Sequence, residues 1–306
     1  MREVAAVEAA RVLVTGGAGQ LGRVLQRSAA AGGTRMTLYD VADGVNVVRG
    51  DVNDGPGLRD CMLGCDTVVH AASLHGVHLN RYPVREFMRV NVQGTESVLR
   101  NAAKAGIRHV VLISSTSVYG LSSSLPFTST AWADEETPVR PTDSNDLCKV
   151  LCEQLSEYAV RRYGISVTVL RPGRFWVGDV ASFNLAKLSG AVDVSDVAHA
   201  ALQAVAAGGE GFQVYCVASK TRFDRGDLDD LETRADRLIE ERYPGAGEAL
   251  ARHGLELPRR LHRVVCIAKA QKELGYEPRV NFEQFLESGS DAAADGAAIA
   301  ETAVPR

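Results

Sequence analysis

The sequence has no cluster of basic residues and no long apolar run. Its 34 Lys and Arg residues are outweighed by 38 Asp and Glu residues, so the formal net charge is −4, and no basic stripe of the kind that binds nucleic acid is present. No apolar stretch approaches the roughly 20 residues that a membrane-spanning helix needs. The first ten residues, MREVAAVEAA, lack the apolar segment of a signal peptide. We therefore expect a cytoplasmic protein without a nucleic-acid or membrane partner.

Cysteine is also scarce, and its spacing matches neither a zinc site nor a disulfide framework. The six cysteines include two pairs four residues apart, Cys61/Cys65 and Cys148/Cys152, within helical patterns. We interpret them as small hydrophobic residues in a reducing compartment, and we predict no metal site.

Hydrophobic residues make up 45% of the 306 residues, which is enough for one large core with a smaller appended lobe. Short β-branched runs alternate with helical patterns such as Gln20–Ala31, Val84–Ala105 and Asp146–Tyr163. The predicted strands span residues 11–15, 35–40, 45–50, 66–72, 109–115 and 166–172. This alternation predicts an α/β fold with a Rossmann-like, doubly wound parallel sheet.

Beyond residue 172 the pattern becomes less regular. We expect residues 1–172 to form a dinucleotide-binding domain and residues 173–287 to form mainly a small C-terminal substrate lobe, with residues 193–218 returning to the first domain. Residues 288–306 are rich in Ala and Gly and lack an apolar face, so they predict a disordered tail.

The most informative segment is RVLVTGGAGQLGRVLQ, in which a predicted strand runs directly into a glycine-rich turn and a helix. Glycines at Gly16, Gly19 and Gly22 allow the backbone to turn tightly and to approach a pyrophosphate closely. The phosphates then lie against the first amides of the following helix, including those of Gln20 and Leu21. This context favours a dinucleotide site over a plain strand-to-helix turn.

Asp40 ends the next predicted strand, 18 residues after Gly22. A carboxylate there can accept hydrogen bonds from both hydroxyls of the adenosine ribose, and it repels a 2′-phosphate. The sequence therefore favours NAD over NADP.

Several ordered motifs resemble the extended short-chain dehydrogenase/reductase superfamily, specifically its NAD-dependent epimerase/dehydratase group. The resemblance covers roughly residues 11–207. Its motifs are TGGAGQLG (15–22), YD (39–40), GDVND (50–54), HAAS (70–73), NVQGT (91–95), SSTSVYG (114–120), RPG (171–173) and DVSDVA (193–198).

The resemblance implies roles for individual residues. Asp51 and Val52 would contact the adenine, Ala71 and Ala72 would line the cofactor, and Lys149 would bind the nicotinamide ribose. Asn91 would either support the central helix or serve as a buried amide satisfied locally. The resemblance also implies a homodimer formed through the helices at 84–105 and 146–163, although their apolar faces are equally compatible with inward packing.

The catalytic positions are incomplete. The superfamily places a Ser four residues before the Tyr of VYG, which is Ser115 here, and a Tyr four residues before the Lys, where this chain has Asn145. No tyrosine in the chain is followed by Lys at that distance. Asn145 cannot titrate, so it is either a donor that polarises a carbonyl or a residue that caps the helix.

Other groups must then move the proton. The loop HAASLHGVHLNRYP contains His75, His78 and Tyr82, and histidine has a suitable ordinary pKa of about 6.5. A surface loop histidine without a role is the commoner case. Alternatively, the substrate carries its own acidic hydroxyl.

The substrate segment is short. Only 19 residues, 174–192, separate Gly173 from Asp193, which argues against a large nucleotide substrate. The Asp-Glu pair of the dehydratases is also replaced, by Thr116 and Ser117, which argues against elimination of water. A smaller pocket bordered by Arg171, Arg174, Phe175 and Trp176 is the expectation, although an ion pair for Arg171 and core positions for the aromatic residues are open alternatives.

Three functional hypotheses follow. The first is an NAD(P)-dependent oxidoreductase acting on a secondary alcohol or ketone of a sugar, sugar acid or natural product. The second is an NAD-dependent epimerase that works through a transient ketone. The third is a catalytically silent dinucleotide-binding protein.

Overall fold

The structure of the chain is a computed structural model that describes residues 10–120, 130–175 and 178–288. The predicted tail at 288–306 lies outside these residues apart from Ser288, and so does Trp176. No helix in these three ranges is long and apolar enough to cross a membrane.

Seven strands form the principal sheet. They are β1 (Arg11–Thr15), β2 (Arg35–Asp40), β3 (Val47–Arg49), β4 (Thr67–His70), β5 (His109–Ile113), β7 (Ser166–Pro172) and β8 (Phe212–Val217). The strand order is β3-β2-β1-β4-β5-β7-β8, and the pairs from β3 to β5 are parallel. The predicted Rossmann-like α/β fold class is therefore confirmed.

Helices connect the strands and continue through the C-terminal part of the chain. They are α1 (Gln20–Gly32), α2 (Gly55–Met62), α3 (Val84–Phe87), α4 (Gly94–Lys104), α5 (Ser144–Tyr163), α6 (Val180–Lys187), α7 (Val194–Ala207), α8 (Leu228–Thr233), α9 (Ala235–Arg242), α10 (Ala246–Ala251), α11 (Ala268–Leu274) and α12 (Phe282–Ser288). A π-helical segment, Met88–Gln93, joins α3 to α4.

The sequence explains these elements. The central strands are short β-branched runs, and Val12, Leu13 and Val14 of β1 are completely buried because helices cover both faces of a parallel sheet. Helix α1 ends at its C-cap Gly33, which adopts the left-handed conformation (φ +76°) that glycine accepts without a steric penalty.

The strand order reverses between β1 and β4, which are adjacent and in parallel register. Thr15 at the carboxyl end of β1 faces Tyr39 of β2 on one side and His70 of β4 on the other. Ligands of doubly wound sheets bind outside the carboxyl ends of the strands at such a reversal. The loops that follow Thr15, Asp40 and His70 therefore delimit the first region to be searched for a site.

Two features differ from the sequence-based prediction. The predicted helix Val84–Ala105 is interrupted by the π-helical segment, and β6 (Ala131–Ala133) pairs with β9 (Arg263–Val265) in a separate two-stranded sheet. Three-residue strands carry too little periodicity to be recognised in the sequence.

Contacts within the chain define two compact units. The described residues of unit 1 fall within Met1–Ile113, Leu151–Val169 and Ala204–Gln213, and those of unit 2 within Ser114–Val150, Leu170–Gln203 and Val214–Arg306. The functional division at residue 172 remains a prediction.

Unit 2 has a core of its own in its C-terminal helices. Tyr243 packs edge-on against Phe223 and Phe282, and Phe282 packs against Phe285. Aromatic pairs at these centroid separations of 5.3–5.8 Å add to the stabilisation from area burial.

Candidate functional site: a dinucleotide cradle and an unusual catalytic helix

The glycine-rich turn in unit 1 is held tightly against neighbouring backbone. Gly16 and Gly17 donate their amides to the carbonyl of Tyr39 at 2.9 and 3.2 Å. Gly16 has φ +76°, and a Cβ there would lie 2.7 Å from the nitrogen of Ala72. The turn therefore requires glycine at position 16 for both conformation and space.

Helix α1 begins directly after this turn. A Cβ on Gly22 would lie 2.6 Å from the carbonyl oxygens of Gly16 and Gly17, so only glycine allows the first turn of the helix to pack against the loop. Within the described chain, no side chain caps this helix and its first turn contains no acidic residue. The first amides of α1, at Gln20, Leu21 and Gly22, thus present the partial positive charge of a helix N-terminus to an anion.

Asp40 ties the end of β2 to the glycine turn. Its Oδ2 accepts the amide of Ala18 at 3.0 Å, and its Oδ1 accepts the amide of Ala42 at 3.0 Å. Each carboxylate oxygen can accept more than one hydrogen bond, so both retain capacity for ribose hydroxyls.

Asp51 is fixed by the protein itself. Its Oδ2 accepts a hydrogen bond from Arg89 at 3.0 Å, and its Oδ1 accepts the backbone amide of Asn53 at 2.9 Å. Burial acts to raise the pKa of Asp51, but these hydrogen bonds outweigh it and lower the pKa below its ordinary value. The neighbouring Val52 is buried and lies against Gly94, where a Cβ would approach its side chain to 2.7 Å.

Ala71 and Ala72 follow β4 and lie beside the glycine turn. The amide of Ala71 donates to the carbonyl of Thr15 at 3.1 Å, and the amide of Ala72 donates to Thr15 Oγ1 at 3.4 Å. The structure thus brings the predicted residues Gly16, Ala71 and Ala72 into direct proximity and links Asp40 to the same turn.

Unit 2 contains the three residues at the predicted catalytic positions. Ser115 follows β5 by two residues and begins the short 3₁₀ turn Thr116–Tyr119, where its Oγ accepts the amide of Ser117 at 3.0 Å. Accepting this bond leaves the Ser115 hydroxyl hydrogen available to another acceptor.

Asn145 lies in the first turn of α5 but does not cap it. The cap is provided by Asp143, whose Oδ1 accepts the amide of Asp146 at 2.8 Å. Asn145 is 8% exposed, and its Oδ1 is buried without a hydrogen-bond partner among the described residues. A buried amide oxygen without a donor is destabilising, so this geometry favours a functional interpretation of Asn145 over the capping one.

Lys149 lies one helical turn beyond Asn145, on the same face of α5, and is buried. The four-residue spacing of the predicted pair therefore places both side chains on one side of the helix.

The sequence model of the NAD-dependent epimerase/dehydratase family matches residues 12–178, more than half of the chain. The chain belongs to this family. The predicted membership of the extended short-chain dehydrogenase/reductase superfamily is confirmed, and so is NAD as the cofactor by which the family is described.

Individual relatives differ in the reactions they are named for. A dTDP-glucose 4,6-dehydratase of Streptomyces niveus is 30% identical over 318 residues and matches 90% of both chains. A 4-hydroxy-2-methyl-3-oxo-4-farnesyl-3,4-dihydroquinoline-1-oxide ketoreductase of Stigmatella aurantiaca is 32% identical over 56% of this chain and 52% of its own length. Several of the other curated relatives are also matched over only about half of their length.

A solved structure of UDP-glucose 4-epimerase from Brucella ovis, in complex with NAD, has a TM-score of 0.68 at 19% identity. It covers 94% of this chain and 99% of its own. This similarity supports the fold assignment.

The glycine turn, the start of α1 and Asp40 together form what we call the dinucleotide cradle of unit 1. This cradle fits NAD, the cofactor by which the family is described. The glycine turn excludes side chains at Gly16 and Gly22, the uncapped start of α1 offers backbone amides to a pyrophosphate, and Asp40 offers acceptors to a ribose.

The histidine loop of unit 1 has a defined structure. His78 accepts the amide of His75 through Nδ1 at 2.9 Å, and its ring packs against Tyr82. Burial, together with the positive charge of Arg81, lowers the pKa of His78. His78 is therefore protonated less readily than an ordinary histidine and is the weaker candidate for a proton donor, whereas His75 is exposed and remains a candidate acid.

Arg171 lies in a buried cluster of unit 2. It donates to the hydroxyl of Tyr119 at 2.8 Å, with its guanidinium 5.1 Å from the ring centroid, and the same hydroxyl lies 3.2 Å from Cys216 Sγ. Burial raises the pKa of Tyr119 far above its ordinary value, so Tyr119 cannot replace the missing acid. Of the other predicted pocket residues, Arg174 is exposed and Phe175 is partly buried.

Sequence reasoning did not identify the contacts that fix the cradle from behind. Asn91, within the π-helical segment, accepts the amide of Leu74 at 2.7 Å and donates to its carbonyl at 3.0 Å, which is the local structural role considered for it. The NVQGT motif singled out Asn91 in the sequence, but its hydrogen-bond partner Leu74 could be found only in the structure.

All six cysteines are free thiols, three of them buried and three partly buried. In the described ranges, no group of three or more His, Cys, Asp or Glu side chains is arranged to hold a metal ion.

Proposed function

We propose that this protein is an NAD-dependent oxidoreductase that interconverts a secondary alcohol and a ketone on a sugar, a sugar acid or a related natural product. The observation that carries the proposal is the cradle of unit 1, in which the glycine turn, the uncapped start of α1 and Asp40 lie together at the reversal of strand order.

When bound, NAD would supply a hydride acceptor or donor at its nicotinamide ring. Asp40 would hold the adenosine ribose and disfavour NADP, because its carboxylate repels a 2′-phosphate. Lys149 would hold the nicotinamide ribose hydroxyls, and Ser115 would donate its hydroxyl hydrogen to the reacting oxygen of the substrate.

Asn145 binds the substrate without transferring a proton. Its buried Oδ1 lacks a donor among the described residues, so it is complementary to a hydroxyl group of the substrate. A polyhydroxylated substrate provides such a donor beside the reacting carbon. The proton itself is exchanged with His75 or with an acidic hydroxyl of the substrate.

Dehydration is not the reaction that we propose, although several relatives are named dehydratases. Elimination of water needs an acid and a base, and the two positions that follow Ser115 carry Thr116 and Ser117, neither of which titrates near neutral pH. The segment 174–192 also remains shorter than we expect for a pocket that encloses a nucleotide diphosphate.

The proposal is tested first by calorimetric titration of the purified protein with NAD and with NADP. Reduced and oxidised cofactor are then incubated with hexuronic acids, nucleotide sugars and aromatic ketones while nicotinamide absorbance is followed. We expect NAD to bind more tightly than NADP and at least one substrate class to cause a net change of NADH. Inversion of configuration at the carbinol carbon without net NADH, with the hydride returned from the reduced cofactor to the same carbon, would instead identify an epimerase.

The Asn145→Tyr variant separates catalysis from simple binding. If only the wild-type protein turns over substrate, a specialised site without a tyrosine is supported. If the wild type binds NAD and turns over nothing while Asn145→Tyr is active, the protein is a binding protein and the proposed activity is wrong.

A further inference from the structure

A chain of buried polar groups in unit 1, made of four side chains and the backbone carbonyl of Asn91, lies directly behind the dinucleotide cradle and has no role in the function proposed above. Its members are Thr15, His70, Asn91, Thr95 and Cys152, each no more than 3% exposed. Buried polar groups cost free energy unless they are fully hydrogen-bonded. A chain of this length in a sheet core is therefore destabilising unless each donor is paired with an acceptor.

The contacts along this chain are short. Thr15 Oγ1 lies 2.7 Å from His70 Nδ1, and His70 Nε2 lies 3.0 Å from Thr95 Oγ1. Thr95 Oγ1 lies 2.6 Å from the carbonyl oxygen of Asn91, which Cys152 Sγ also approaches to 3.2 Å. His70 is therefore the central residue, with one ring nitrogen directed to each threonine.

Counting donors and acceptors assigns the protons. The Thr95 hydroxyl has a single hydrogen, and its shortest contact is to the Asn91 carbonyl, which can only accept. Thr95 Oγ1 must then accept from His70 Nε2–H. Among the described residues, His70 Nδ1 is the only acceptor within reach of the Thr15 hydroxyl hydrogen, so Nδ1 is unprotonated and accepts it.

One end of the chain reaches the cradle. With its hydrogen committed to His70, Thr15 Oγ1 presents a lone pair to the amide of Ala72. That amide is the atom closest to where a Cβ on Gly16 would lie, at 2.7 Å. The Thr15 hydroxyl therefore links His70 to the backbone amide of Ala72 beside the glycine turn.

We propose that His70, as a neutral histidine protonated on Nε2, is a positioning residue for the dinucleotide and acts through Thr15 on the strand ends that hold it. This inference rests on the proposed binding of NAD by unit 1 and concerns residues that do not touch the cofactor.

The chain offers a matched control in His109. It is also 2% exposed, and its Nε2 bonds a threonine hydroxyl, that of Thr168, at 2.9 Å. In the parallel register His109 pairs with Thr67 at the start of β4, whereas His70 lies at the carboxyl end of β4. Loss of His109 should therefore reduce stability without disturbing the cradle.

The experiment measures NAD binding by calorimetry and thermal unfolding for the wild type, His70→Phe, His109→Phe and Thr15→Val. We expect NAD binding to weaken about ten-fold in His70→Phe and in Thr15→Val, because each change breaks the hydrogen bond between Thr15 and His70. The two changes combined should weaken binding no more than either alone, since they act through one path. His109→Phe should bind NAD as tightly as the wild type despite a lower unfolding temperature.

Two further readouts keep the test decisive. His70→Asn can retain an acceptor for Thr15, so it should restore part of the affinity lost in His70→Phe. In ¹⁵N-labelled wild type, the ring of His70 should appear as the neutral tautomer protonated on Nε2. If His70→Phe does not fold, Thr15→Val, which has nearly the same volume, decides the result.

The outcomes separate this inference from the proposed function. If the folded wild type binds no NAD, the proposed function fails and this inference fails with it. If the wild type binds NAD but Thr15→Val and His70→Phe bind it as tightly as His109→Phe does, only the positioning role is overturned. A His70 ring protonated on Nδ1 would also overturn it.

Discussion

His109 provides a quantitative test of the fold because its burial disfavours the protonated form. Its Nε2 lies 2.9 Å from Thr168 Oγ1, while its Nδ1 has no hydrogen-bond partner in the described part of the chain. A Cβ on the adjacent Gly209 would lie 2.5 Å from the ring, so the backbone of Gly209 packs directly against His109. Burial lowers the pKa of His109 from 6.5 to about 4.

The sign and size of the pH dependence of stability follow from the difference between the pKa values of His109 in the unfolded and folded chain. Between the two pKa values the unfolded chain binds a proton at position 109 and the folded chain does not, so the free energy of unfolding decreases as the pH falls through that window. One pKa unit corresponds to about 1.4 kcal/mol, and acidification from about pH 7.5 to about pH 5 should remove about 2 kcal/mol of stability through this residue.

The assay is urea denaturation of the wild type and His109→Gln at both pH values. Glutamine can still donate to Thr168 but does not titrate. We expect the stability advantage of the wild type over His109→Gln to shrink by about 2 kcal/mol at the lower pH. The exposed His253, changed to Gln, controls for the loss of a histidine elsewhere. An equal pH dependence in wild type and His109→Gln would refute the reasoning.

Three other predictions concern the cradle and the core. Gly22→Ala should reduce NAD affinity by about ten-fold or more, because its methyl group would lie 2.6 Å from two backbone oxygens. Gly55→Ala should leave NAD affinity unchanged, because its methyl group would make only an ordinary contact at 3.5 Å. Calorimetry compares the NAD affinities of the two variants. Asp40→Asn should narrow the preference for NAD over NADP, measured as the ratio of dissociation constants, and an unchanged ratio would exclude Asp40 from cofactor selection. Tyr119→Phe should lower the free energy of unfolding by about 1–3 kcal/mol, because Arg171 loses a buried acceptor; an unchanged denaturation midpoint would contradict this.

The sequence predicted most of the principal sheet. The bounds of β1, β2 and β7 agree with the predicted runs at 11–15, 35–40 and 166–172. For β1 and β7 the reason is that mostly buried strands are nearly continuous apolar segments with abrupt ends. The π-helical interruption at Met88–Gln93 was missed because its apolar spacing is that of an ordinary helix.

The cradle could also be read from the sequence, since glycine spacing, strand ends and helix starts are local features. Predicting the contact between Gly16 and Ala72 required only the additional knowledge that β1 and β4 are neighbours in the sheet. The Thr15–His70–Thr95 chain joins segments far apart in the sequence, and no local pattern distinguishes a buried hydroxyl in such a chain from one on the surface.

The role of Asn145 at the predicted catalytic position could not be decided from the sequence. Spacing identified Asn145, but it could not separate a helix cap from a substrate-binding amide, because the choice depends on which side chain accepts the amide of Asp146. The structure assigns that bond to Asp143.

The most direct test of this account is calorimetric titration of the well-folded wild-type protein with NAD, alongside Gly22→Ala. We expect saturable binding of one NAD per chain in the wild type and strongly weakened binding in the variant. Absence of any binding of NAD or NADP to folded wild-type protein would contradict the central claim that the edge formed by β1, β2 and β4 holds a dinucleotide.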